Sequence, residues 1–126
     1  MISRFSRNAV EKKPLIIHGD GSQTREFVYV KDVVRAFCLA VESEKLSGTY
    51  NLGSGEATSL KVVAEKIQQI CKSDLAVKYR IERAGDAKHS LADVSGLKKM
   101  GWQIGYSLEE ALGLTAAYYR TEASHR

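Results

Sequence analysis

Leu15-Ile16-Ile17-His18-Gly19-Asp20-Gly21-Ser22-Gln23-Thr24-Arg25-Glu26-Phe27-Val28-Tyr29-Val30-Lys31-Asp32 is the stretch on which the reading of this chain turns. It starts with a short apolar run that reads as a strand. It then passes through Gly, Asp, Ser, Gln and Thr, and resumes as alternating β-branched and aromatic residues. In strand geometry Ile16 and His18 share one face and Leu15 and Ile17 the other; further on, Arg25, Phe27 and Tyr29 stand opposite Glu26, Val28 and Val30. Two readings fit. One is a plain hairpin whose Arg25 is a solvated edge charge. The other is an anion site, because a turn rich in Gly and small polar residues leaves backbone N–H groups free. It also delivers a guanidinium that can hold two phosphate oxygens at once, beside two aromatic rings that can wall a pocket.

Working outward, Ile2, Phe5 and Ala9 recur at helical spacing over residues 2–12, and the helix ends ahead of Pro14. Asp32 reads as the cap of a helix over 33–45, with Val34, Phe37, Cys38 and Val41 as its inward stripe, broadened by Val33, Ala36 and Ala40. Ser47-Gly48 ends it, and residues 49–52 read as a short strand. A second helix over 60–71 turns Leu60, Val63, Ala64, Ile67, Ile70 and Cys71 inward. Residues 77–81 form another strand, followed by the charged turn Glu82-Arg83-Ala84-Gly85-Asp86. Asp93 caps a brief helix to Met100, with Gly101 as its left-handed terminator. Ser107 and Glu110 form a capping box for a last helix with Leu108, Ala111, Leu112, Thr115 and Tyr119 inward, and the tail over 121–126 frays. These elements predict an α/β fold, a small domain over residues 1–126 in which helices and short strands interleave.

A chain of 126 residues suits one domain, and 44% hydrophobic with 27% charged residues is ordinary for a globular protein. The formal charge of +4 comes from scattered basic residues without a nucleic-acid motif, so nucleic acid is not an expected partner. No apolar run is long enough for a membrane helix and no signal-peptide pattern opens the chain, which predicts a cytoplasmic protein with no membrane partner. The two cysteines, Cys38 and Cys71, fall at apolar helical positions and read as core thiols; the three histidines have no ligand spacing, so no metal is expected.

Gly53-Ser54-Gly55 imitates a dinucleotide fingerprint, but Thr58 stands where Gly or Ala is needed, and no acidic residue follows at the required distance. A helix N-terminus tied by a glycine turn accounts for it better. No P-loop, Tyr-x-x-x-Lys or Ser/His/Asp arrangement occurs, so no catalytic residue is assigned. What remains are two arginine-bearing turns, 22–25 and 83–86, whose Arg25 and Arg83 could clamp a diphosphate while Asp86 accepts from ribose hydroxyls.

The run from His18 to Val33 closely resembles the G-D-G-x-Q-x-R-D-F-x-x-V-x-D segment of nucleotide-sugar epimerases and dehydratases of the extended short-chain dehydrogenase/reductase family. The likeness continues through Tyr50-Asn51-Leu52-Gly53-Ser54-Gly55, Arg83-Ala84-Gly85-Asp86, and Asp93 to Gly101-Trp102, into the final helix. It is a likeness to the C-terminal, substrate-binding portion. The resemblance implies that NAD and the catalytic Tyr-x-x-x-Lys belong to a Rossmann domain of the full-length parent, with no cofactor held by this chain. It assigns Arg25 and Arg83 to the substrate diphosphate and Asp86 to the ribose. Ile16 and His18 fall where the family contacts uracil, and Phe27 where an aromatic lines the pocket. Ser90 falls where side-chain size gates bulky sugars. Ala84 replaces the usual Pro of that turn, and Glu26 replaces the usual Asp.

The resemblance thus implies the substrate-binding domain of a UDP-sugar 4-epimerase-like enzyme, inactive alone. A free-standing nucleotide-sugar binding module, or part of a 4,6-dehydratase or decarboxylase, is the alternative. Its expected partners are a UDP-sugar, the missing Rossmann domain and, through an apolar face left uncovered, a second copy of itself.

Overall fold

The apolar run at the front folds as strand β1 (Leu15–His18), with Leu15 and Ile17 buried and Ile16 and His18 half-buried, the alternation expected of its two faces. The structure, a computed structural model, describes residues 1–44 and 47–125. The other elements are α1 (Ile2–Val10), β2 (Thr24–Glu26), α2 (Val30–Glu42), β3 (Ala57–Ser59), α3 (Leu60–Cys71), β4 (Val77–Arg80), α4 (Ser95–Lys99) and α5 (Leu108–Ser124). The fold is mixed α/β. β1 pairs in parallel with β4, Leu15 opposite Val77 and His18 opposite Arg80, while β2 pairs antiparallel with β3, Arg25 opposite Thr58. The hairpin reading therefore fails, since β1 and β2 belong to different sheets. At the bend, Asp20 Oδ1 accepts from both the N–H and the hydroxyl of Ser22, at 2.9 and 2.6 Å. These two bonds, the hydroxyl's first, hold the Asp20 carboxyl below its ordinary range.

The main core joins Phe5 and Ala9 of α1, Leu15 and Ile17 of β1, Leu60, Val63, Ala64 and Ile67 of α3, and Leu112 of α5. Each large side chain closed off here contributes about 1.5–3 kcal/mol. The periodicity of residues 2–12 and 60–71 identifies these inward faces correctly. In α5 the structure adds Ala116, fully buried, which the sequence reading did not include. A second cluster gathers Ala36, Leu97 and Trp102, with Leu39, Tyr50 and Leu52 against it.

Several expectations are corrected. The strand expected over 25–30 stops at Glu26, and α2 starts at Val30 with Tyr29 at its N-cap position. Asp32 is therefore not the cap; it sits in the first turn, fully buried, accepting from Gly105 N at 2.8 Å and Tyr106 N at 3.2 Å. With Asp32 and Ala36 inward, the apolar stripe expected in the core faces outward: Val34, Phe37 and Val41 are 53%, 69% and 87% exposed, and Cys38 is exposed too. The expected helix end at Lys45 lies outside the described residues. Residues 49–52 make no ladder, and the strand that forms instead is β3. The C-terminal tail is helical through Ser124 rather than frayed, Arg126 lying outside the described residues.

The capping box at α5 forms as expected. Ser107 Oγ accepts from Glu110 N, and the Glu110 carboxylate accepts from the Ser107 N–H at 2.8 Å and its hydroxyl at 2.7 Å. The hydroxyl, then the backbone N–H, draws the Glu110 carboxyl below its ordinary value. A carboxyl lowered on folding adds stability above its unfolded value, and that stability is lost as pH falls through the lowered one. The stability advantage of the wild-type chain over Glu110→Gln is thus expected to shrink between about pH 6 and about pH 3. Thermal melts of both across that range check this; a constant difference would count against the capping role.

Candidate functional site

β1 and β4 run parallel, so their carboxyl ends, His18 and Arg80, open on the same side, where ligands of parallel sheets are received. There a cleft of about 450 Å³ is lined by Arg4 of α1; Ile16, Ile17 and His18 of β1; and Gln23, Arg25, Glu26 and Phe27 of the following segment. Met1, Leu60, Arg83 and Asp86 complete it. Of the residues assigned from the resemblance, Ile16, His18, Arg25, Phe27, Arg83 and Asp86 all line this one cleft, although 58 positions separate Arg25 from Arg83. Ser90 does not line it. It is exposed, on the strap that leads away from Asp86.

Local chemistry places each group. Asp86 N donates to Arg83 O at 3.2 Å, closing a β-turn whose third residue, Gly85, has φ +85°, a conformation glycine adopts without strain. The turn closes with Ala84 in place of proline. Arg25 Nη1 donates to Thr24 O at 2.8 Å, which fixes one edge of the guanidinium. The strap after Asp86 is fastened along β2: Thr24 N donates to Lys88 O at 2.9 Å, and Thr24 Oγ1 lies 3.0 Å from His89 Nδ1.

Sequence reasoning missed three residues of the cleft. Gln23, nearly buried, donates from Nε2 to His18 O and ties the loop back to β1. Arg4 supplies a further guanidinium from α1. Glu26, noted only as a replacement of Asp, is a clamp: Oε1 accepts from Gly55 N at 2.5 Å and Oε2 from Ala92 N at 3.0 Å. Its carboxylate lies so close to Gly53 that a Cβ there would collide with it. No pattern within the sequence signals this, because the groups that Glu26 holds are 29 and 66 positions away. The Gly53-Ser54-Gly55 segment is thus closed against a carboxylate and leads into β3 rather than a helix. These residues do not fit a dinucleotide pyrophosphate.

Charge and shape give the cleft a defined chemistry. It sets guanidinium groups beside an apolar wall of Ile16 and Phe27, an arrangement suited to an anionic ligand with a flat or apolar part. Among the described residues no cluster of His, Cys, Asp and Glu could hold a metal ion, and no helix is long and apolar enough to cross a membrane.

The UDP-N-acetylglucosamine 4-epimerase of Methanobrevibacter ruminantium M1, solved with UDP-N-acetylmuramic acid, superposes with a TM-score of 0.91 at 35% identity over 97% of this chain and 39% of that one. The UDP-glucose 4-epimerase of Thermotoga maritima, solved with UDP-glucose, gives 0.89 at 33% identity over 97% of this chain and 40% of that one. UDP-glucuronic acid decarboxylase 1 of Xenopus tropicalis is 31% identical over 100% of this chain and 30% of its own length. The fold is thus shared with enzymes of UDP-sugars. Residues 1–53 match the model of the NAD dependent epimerase/dehydratase family. It spans well under half the length of these relatives.

Proposed function

We propose that this chain is the nucleotide-sugar-binding domain of a UDP-sugar 4-epimerase-like enzyme and performs no chemistry alone. Arg25 and Arg83 hold the diphosphate, Asp86 the ribose hydroxyls, and Ile16, His18 and Phe27 flank the base. The observation that carries the reading is the meeting of these residues, from separate segments, in one cleft. NAD, which the family's description names, is assigned to a Rossmann domain of the full-length protein, since the glycine segment here is committed to Glu26. Calorimetry with UDP and TDP tests the site. The wild-type chain is expected to bind UDP, and Arg25→Ala to weaken it about 10–100-fold, as loss of charge-assisted hydrogen bonds does. No binding of UDP by the wild-type chain would overturn the reading.

A decarboxylase parent is the second reading, favoured by the decarboxylase among the relatives. Assay of the full-length protein with UDP-glucuronic acid separates the two by whether carbon dioxide is released. Ser90 lies outside the cleft of this chain, and its role as a small residue that admits an N-acetyl group rests on the resemblance. The parent is therefore expected to accept UDP-N-acetylhexosamines as well as UDP-hexoses, and Ser90→Tyr to cost the acetylated sugars about tenfold more. Equal effects on kcat/KM for both sugar classes would defeat this.

A further inference from the structure

Within the cleft, Arg83 Nη2 lies 3.3 Å from His18 Nε2, and His18 Nδ1 lies 3.2 Å from the carbonyl oxygen of Ile81. A carbonyl oxygen only accepts, so Nδ1 must carry a proton. A guanidinium only donates, so Nε2 must present its lone pair. One form of the ring meets both demands: neutral imidazole protonated on Nδ1. In the imidazolium both nitrogens donate; the bond to Arg83 is lost and two cations are left at contact distance. The charged groups that line the cleft with His18 are Arg83 and Asp86 of the turn after β4, Arg25 and Glu26 of β2 and Arg4 of α1, with Arg80 opposite His18 on the ladder.

We propose that His18 is a positioning residue: its neutral side chain aims the Arg83 guanidinium into the cleft, so that protonation of the ring loosens the hold on a diphosphate. The proposal rests on the reading of the cleft as a nucleoside-diphosphate site and adds a role for the His18 side chain, beyond its place beside the base.

The test uses a UDP-hexose, whose diphosphate is a diester with constant charge across the range studied, titrated into the 126-residue chain from about pH 8 to about pH 5.5. Affinity of the wild type is expected to fall about fivefold on acidification. His18→Gln, whose amide oxygen can accept from Arg83 at any pH, is expected to bind more tightly than His18→Phe and to keep a flat profile. His18→Phe, with no acceptor, is expected to be weak and flat. A flat wild-type profile, an affinity that rises as the ring gains a proton, or a Gln variant no better than Phe would each overturn the proposal. The ring is read separately by nitrogen NMR without ligand, so that a failure of the diphosphate reading is told apart. An Nδ1-protonated tautomer whose Nε2 resonance moves in Arg83→Gln supports the pair; an Nε2-protonated tautomer, or no response to Arg83→Gln, overturns it.

Discussion

Replacing Asp32 by alanine is expected to lower the unfolding free energy by about 2–3 kcal/mol, read as a shift of the urea midpoint at unchanged slope. The carboxylate has no solvent exposure, yet it is the acceptor for Gly105 N and Tyr106 N and lies 3.2 Å from Arg35 Nη1. Through these bonds the first turn of α2 holds the peptide that leads into the capping box of α5. Tyr106 packs its ring against Tyr29 at 4.8 Å, and Trp102 Nε1 donates to the Asp32 carbonyl at 3.3 Å, so the same residue anchors the start and the approach of that segment. Alanine removes the acceptor and leaves the Gly105 and Tyr106 N–H groups facing a void, while the half-exposed Arg35 guanidinium turns to solvent. Asp32→Asn keeps the shape but exchanges an acceptor oxygen for a donor, and its expected cost is about 1–2 kcal/mol. The ordering wild type, Asn, Ala is the signature sought. A loss below about 1 kcal/mol for alanine would show that water satisfies the Gly105 and Tyr106 N–H groups instead.

Asp32 also shows where sequence and structure part. A carboxylate favours the start of a helix whether it stands at the cap or inside the first turn, because both positions meet unpaired N–H groups and the positive end of the dipole. The β-branched and aromatic run ahead of Asp32 made a strand the natural reading, and with it a helix start a few residues too late. The periodicity of α3 and that of α2 are equally clear in the sequence, but only α3 turns its apolar arc inward. An apolar arc demands cover; it does not say which body supplies it. Residues 49–52 have the composition of a strand, and a strand exists only where a neighbour completes the ladder. The cleft was legible differently. Residue types and spacing alone left Arg25 either an edge charge or an anion ligand. The likeness to a family named the set, and the fold brings Ile16, His18, Arg25, Phe27, Arg83 and Asp86 to one place. Glu26 and Gln23 stayed hidden because their work is to hold backbone from distant parts of the chain.

The uncovered face of α2 leads to the second large effect, in solution rather than in stability. Val30, Val34, Phe37 and Val41 are 63%, 53%, 69% and 87% exposed, at intervals of four, three and four residues, the spacing of a seam on which another helix can pack. An apolar stripe of this kind is a poor surface to leave in water. The 126-residue chain is expected to self-associate through it, with the average mass in sedimentation rising with concentration. Phe37 stands in the middle of the stripe, and burying a ring of its size is worth about 1.5–3 kcal/mol. Phe37→Glu removes that gain and adds a charge, so the dissociation constant is expected to rise about 10–100-fold. Val62, 38% exposed on α3 and away from the stripe, supplies the control: Val62→Glu should leave association unchanged. If both variants weaken association equally, the contact is diffuse stickiness and not the α2 seam. A wild-type chain that stays monomeric at high concentration would show that this face needs a different body to cover it.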